Sequence, residues 1–121
     1  MTTKELMDFC LLRKGAYEDH PFGAASTIIK VEKKIFAQFF VLRGKECVTF
    51  NCDRMAGELY RSHYPGVVVR GYHCPPVQQP YFNTMPIDEI SEDMLIEMAL
   101  HSYHTVVGKL PKYIQKRLAE E

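Results

Sequence analysis

Five histidines and four cysteines carry most of the reactive chemistry available to this chain. On a helix, Glu97, His101 and His104 stand at i, i+4 and i+7 and share one face, where a carboxylate and two imidazoles could hold a divalent metal. The preferred reading is a solvated face with an ion pair between Glu97 and protonated His101, because three such residues alone do not define a metal site. Cys47 and Cys52 are five apart, so a regular strand points them to opposite faces. Cys74 beside His73 is no more specific. A CxxC pair, an HExxH helix, a P-loop and a GxGxxG turn are all absent. No catalytic residue, metal or cofactor is therefore expected, and the chain reads as nonenzymatic.

Basic side chains interleaved with aromatics offer a second chemistry. Lys30 falls on a strand, Lys33 and Lys34 in a first hairpin turn, and Arg43 and Lys45 in a second. If both turns reach the same side, these residues with Arg70 could contact phosphates, with Phe36, Phe40, Tyr72, Tyr81 and Phe82 as candidates for groove or base contact. Solvated turn tips and core aromatics are the plainer account. Formal net charge is zero, which argues against gripping nucleic acid through bulk charge. The distribution is uneven, however: residues 24–71 hold eight bases against four acids, and residues 88–97 hold five acids and no base. Acids at the start of a helix favour its dipole, which explains the acidic run.

The elements that must position these groups follow from periodicity. A helix is expected over residues 3–13, with Thr2 and Glu5 at capping-box spacing and Leu6, Phe9, Cys10 and Leu12 as its apolar face. Residues 15–25 read as a loop in which Pro21 holds His20 extended. That loop is expected to be structural: His20 ties down backbone carbonyls, and Phe22 anchors the loop if its ring is buried. β-branched and aromatic residues at 27–31, 35–42 and 47–51, with breaks at 32–34 and 43–45, predict a three-strand antiparallel meander. Asp53 then caps a short helix with Met55, Ala56, Leu59, Tyr60 and His63 inward, stopped by Pro65-Gly66. Strands at 67–69 and 81–85 flank an exposed loop at 73–80. The last long helix opens near Ile90 with Ser91 as N-cap; Ile96, Ala99, Leu100, Tyr103, Val106, Val107 and Leu110 face the core, leaving Glu97, His101 and His104 toward solvent. Pro111 breaks it before a basic helical tail at 112–118. The sum is an α+β fold, helices packed on a mainly antiparallel sheet made of the meander and two further strands.

With 121 residues, 46% of them hydrophobic, the chain suits one domain spanning 1–121. Its apolar runs fall well short of the roughly 20 residues that cross a bilayer, and no signal-peptide order opens it, so a cytoplasmic location and reduced thiols are expected.

Six segments occur in one order: Asp19-His20-Pro21-Phe22-Gly23, Cys52-Asp53, Tyr64-Pro65-Gly66, Gly71-Tyr72-His73, Asn83-Thr84 and His101-Ser102-Tyr103. Together they resemble the MmcQ/YjbR family over residues 6–118. The resemblance implies a double-wing arrangement similar to the bacterial frataxin (CyaY-like) fold, and a DNA-binding role. The chain departs from the family pattern at Tyr81, where Trp is common, and at Pro75, Pro76, Gln78 and Gln79, where a basic residue or two is common. The expectation is nonenzymatic, sequence-tolerant binding of double-stranded DNA through Lys30, Lys33, Lys34, Arg43, Lys45 and Arg70. The alternative is a small-molecule or protein-binding module whose pocket lies near the 19–23 loop, with His20, Tyr72, His73 and Asn83; the third and least favoured reading is a metal-dependent enzyme. A closed pocket with buried polar groups would favour the second, a continuous positive saddle the first.

Overall fold

The computed structural model describes residues 1–71 and 74–120. Helix α1 (Thr3–Leu11) begins with the expected capping box: the Thr2 hydroxyl accepts from the Glu5 N–H at 3.1 Å, and the Glu5 carboxylate accepts from the Thr2 N–H at 2.8 Å. Leu6 and Cys10, one turn apart, are buried, whereas Leu12 lies past the last turn and is exposed rather than on the apolar face.

Strands β1 (Ala16–Asp19), β2 (Thr27–Val31), β3 (Lys34–Leu42) and β4 (Lys45–Asn51) pair antiparallel in chain order. Strand β1 corrects the expected loop at 15–25. Its residues show no apolar alternation, and its ladder to β2 makes it a strand, from Ala16 opposite Val31 to Asp19 opposite Ile28. The β2–β3 and β3–β4 turns are tight. Glu32 and Lys33 have φ of 49° and 66°, and Arg43 and Gly44 have φ of 53° and 78°, the left-handed pairs of type I′ hairpins.

Helix α2 (Arg54–His63) is capped by Asp53, whose carboxylate accepts the Ala56 N–H at 2.8 Å. Tyr60 is buried as expected, but Gly57, outside the expected stripe, is buried too, while Met55 and Leu59 stand 82% and 66% exposed. A glycine pressed against neighbouring backbone carries no side chain that a hydrophobic pattern can register. Strands β5 (Val69–Arg70) and β6 (Phe82–Pro86) complete a six-stranded sheet of order β1-β2-β3-β4-β6-β5, so the short β5 forms an edge.

Ser91 caps helix α3 (Glu92–Val107) by accepting the Met94 N–H at 3.3 Å. The buried stripe is Leu95, Met98, Ala99, Ser102, Tyr103 and Val106, rotated from the expected face so that Ile96, Leu100 and Val107 are only half-buried. It packs on the sheet face that carries Ile29, Val31, Phe36, Ala37, Phe39, Val48, Phe50 and Met85, with the Phe36 and Tyr103 rings edge-on at 5.3 Å. Helix α4 (Lys112–Glu120) buries Leu118 beside Gly15 and pairs Arg117 with Glu32 in the first hairpin turn. The fold is α+β. All four cysteines are free, and no helix among the described residues is long and apolar enough to cross a membrane.

Candidate functional site

The six basic positions do not converge. In a meander, successive turns leave opposite ends of the shared strand, so Lys33 and Lys34 are separated from Arg43 and Lys45 by the nine residues of β3, roughly 27 Å at the usual rise. Lys45 is neutralised by Glu89 at 2.8 Å and Asp88 at 3.6 Å, and Lys30 by Asp19 at 2.8 Å. Arg70 sits on edge strand β5. The two hairpin turns therefore lie at opposite ends of β3.

The alternative pocket near the 19–23 loop is divided in the same way. His20 follows edge strand β1 and Asn83 lies on β6, four strand spacings or roughly 19 Å across the sheet. Asn83 is buried under α2, where its carbonyl accepts from Arg61 at 2.6 Å and its amide donates to the Gly57 carbonyl at 3.3 Å. Tyr72 and His73 lie outside the described residues. Phe22 is 70% exposed, so its ring does not anchor the loop.

His20 is held by hydrogen bonds from its ring to Glu18 at 2.6 Å and to the Ser26 carbonyl at 3.3 Å. The Glu18 bond is the main cause raising its pKa from the ordinary value of about 6.5. A raised folded value makes this contribution fully present below about pH 6.5 and lost as pH rises through the folded pKa. Glu18→Gln is expected to lower the His20 pKa, read from its ring-proton NMR shift against pH; an unmoved titration would show that Glu18 is not the cause.

The His101-Ser102-Tyr103 segment joins separate elements. His101 Nε2 accepts the Asp53 N–H at 3.2 Å at the start of α2, and its ring meets Tyr60 edge-on at 5.9 Å. It therefore turns inward instead of toward solvent; Glu97 and His104 are exposed. Among the described residues no group of three His, Cys, Asp or Glu side chains could hold a metal. The Tyr103 hydroxyl donates to the Lys14 carbonyl at 2.6 Å. Ser102 Oγ accepts the Asn51 N–H at 2.8 Å and donates to the Phe36 carbonyl. Its hydroxyl occupies the place of the next β3–β4 pair, where the ladder stops at Ala37 opposite Phe50 and a bulge at Phe36 shifts the β2–β3 register.

A cleft of about 550 Å³ lies at these parted strand ends. Lys33, Lys34 and Ile35 border it from the first hairpin, Val106, Lys109 and Leu110 from the end of α3, and Phe82 and Cys74 from the β6 side. Its polar lining comes from one sheet face, because Gln38 is directly opposite Thr49 in the ladder and Asn51 is two residues further along β4. Thr49 is satisfied by the Thr84 hydroxyl at 2.7 Å. The side-chain amides of Gln38 and Asn51, both half-buried, make no hydrogen bond within the described protein. Lys33, Lys34 and Lys109 have no acidic partner among the described residues. Burial raises the Cys74 pKa, so its thiol stays protonated at neutral pH.

Of the six expected basic residues, the cleft brings together only Lys33 and Lys34, with Phe82 from the aromatic candidates. Sequence reasoning missed Gln38, Thr49, Asn51 and Lys109. The available signal was polar residues inside otherwise apolar strands, Gln38 in Ile-Phe-Ala-Gln-Phe-Phe and Thr49 with Asn51 in Val-Thr-Phe-Asn.

Fold and cleft define a class: a helix-covered antiparallel α+β domain with a lysine-rimmed cavity at one end of its sheet. The chain belongs to the YjbR family, whose model matches residues 11–105. It is 32% identical over 98 residues to the uncharacterised protein YbdF of Escherichia coli O157:H7, covering 81% of this chain and 78% of that protein. Deinococcus radiodurans protein DR2400, described as a DUF419 domain, superposes with a TM-score of 0.86 at 22% identity, covering 98% of this chain and 88% of that one. A Pseudomonas syringae protein gives a TM-score of 0.68 at 10% identity over 84% of this chain and 96% of its own. These two likenesses concern the fold.

Proposed function

We propose that this protein is a nonenzymatic binding module for a small organic anion, which enters the cleft with its charge on Lys33, Lys34 and Lys109 and its body against Ile35, Phe82, Val106 and Leu110. The observation that carries this reading is the convergence of three lysines without acidic partners on a cavity with apolar walls. The cavity lies within the roughly 300–1,000 Å³ range of small-molecule sites. Lys33 has a φ of 66°, a left-handed position where glycine is preferred and a lysine costs about 1–2 kcal/mol. Double-stranded DNA on the basic turns is the competing reading; it requires Arg43 at the opposite end of β3 to act with Lys33 and Lys34.

The test is fluorescence titration with 1-anilinonaphthalene-8-sulfonate, an aromatic body bearing one anionic group, beside retention of random duplex DNA at low salt. One saturable site is expected. Lys33→Gly with Lys109→Gln should weaken it by about tenfold or more, and Arg43→Gln should leave it unchanged. Lys33→Gly alone should stabilise the fold by about 0.5–1 kcal/mol in urea, since relief of the left-handed conformation exceeds the glycine's added unfolded-state entropy. Loss of binding in a more stable protein cannot be ascribed to unfolding. No saturable site, or duplex binding that depends on Arg43 and Lys45 as much as on Lys33, would overturn the small-anion reading.

A further inference from the structure

The half-buried amides narrow the class of anion. Gln38 is directly opposite Thr49 and diagonal to Asn51 on the same sheet face, a separation that two amide side chains can bridge from either side of one planar group. Each primary amide presents a donor and an acceptor together. An aliphatic carboxylate filling the cleft would strip water from both amides and return no hydrogen bond. A nitrogen heterocycle returns both, because its edge alternates donors and acceptors at the spacing an Asn or Gln amide reads in pairs. Phe82 supplies an aromatic wall on the β6 side, and the three lysines stand at the rim, where a charged substituent would remain near water.

Resting on the organic-anion reading above, we infer that the cleft takes a nucleotide: phosphate at Lys33, Lys34 and Lys109, and base between Phe82 and Ile35 with its edges on the amides of Gln38 and Asn51. These groups come from three separated segments: the first hairpin turn with β3, β4, and the residues just past α3. The Ser102 hydroxyl bridges β3 and β4 at this end.

Calorimetric titration of the full chain with AMP, GMP, CMP and UMP separately, beside ribose 5-phosphate and decanoate, tests this. At least one nucleotide is expected to bind about tenfold or more tightly than ribose 5-phosphate, and Gln38→Leu with Asn51→Leu should remove that advantage while leaving ribose 5-phosphate affinity unchanged. The amide variant's melting curve confirms that it is folded, and Gln38→Glu alone, which keeps the shape and changes the hydrogen-bond pattern, should alter the ranking among the four nucleotides. Equal affinity for ribose 5-phosphate and every nucleotide, or decanoate binding with no nucleotide binding, would overturn the inference. Lysine-dependent binding of the anilinonaphthalene probe would then keep the organic-anion reading, whereas its absence too would remove both.

Discussion

Ser102→Ala is expected to destabilise the protein by about 3 kcal/mol, because one hydroxyl serves a buried carbonyl and a part-buried N–H, each costing roughly 1–3 kcal/mol when left unpaired. The Asn51 N–H would lose its acceptor and the Phe36 carbonyl its donor, both in the sheet face packed against α3. Alanine removes almost no volume, so a cavity contributes little. Urea unfolding with an unchanged slope measures the effect. A loss below about 1 kcal/mol would mean that β3 and β4 close by one further ladder pair when the hydroxyl is gone, satisfying both groups without it. Amide exchange at Asn51 separates the outcomes: it quickens if the N–H is orphaned and slows if the ladder extends. Zipping would also narrow the cleft, so the same variant reports on whether Ser102 maintains the cavity between Ile35 and Asn51.

Gly57→Ala is expected to destabilise by about 2 kcal/mol, opposite in sign to the gain of nearly 1 kcal/mol that helix propensity assigns to alanine over glycine. A Cβ at position 57 would lie 2.6 Å from Cys52 Sγ, 3.1 Å from Arg61 Nη1 and 3.1 Å from the Pro80 carbonyl. The first contact is below van der Waals distance, and the carbonyl belongs to backbone that is itself bonded to α2's neighbours. Arg61 cannot withdraw freely, since it donates to Asn83, which in turn donates to the Gly57 carbonyl. Relief therefore requires α2 to move away from Cys52 and the turn at 79–81. Thermal and urea unfolding check the sign; a stabilised variant would show that α2 can shift outward at no cost. Gly57→Ser should behave like alanine or worse, because it adds the same atom and a hydroxyl.

The chain's local signals determined local structure. Thr2, Asp53 and Ser91 each mark a helix start, and each accepts the backbone N–H that its spacing predicts. The alternation in 27–51 and the short polar breaks specified the meander, because side-chain period and type I′ turns are properties of a few adjacent residues. The family was likewise legible, from six short segments in order, three of which supply the contacts of Asp53, Asn83 and His101 through Tyr103.

What the sequence could not specify depends on contacts between distant residues. Strand β1 has no pattern of its own and is a strand because β2 offers it a ladder. Helix α2 turns Met55 and Leu59 outward while its glycine packs closely against Cys52 and the Pro80 carbonyl. The basic turns looked like one cluster in the linear chain, but an antiparallel strand of nine residues puts consecutive turns at opposite ends. For the same reason Lys109, 75 residues beyond Lys34, shares a cavity with it while Arg43 does not. Residue types set which chemistry was available; only the packing of α3 across the parted ends of β3 and β4 decided which of those residues meet.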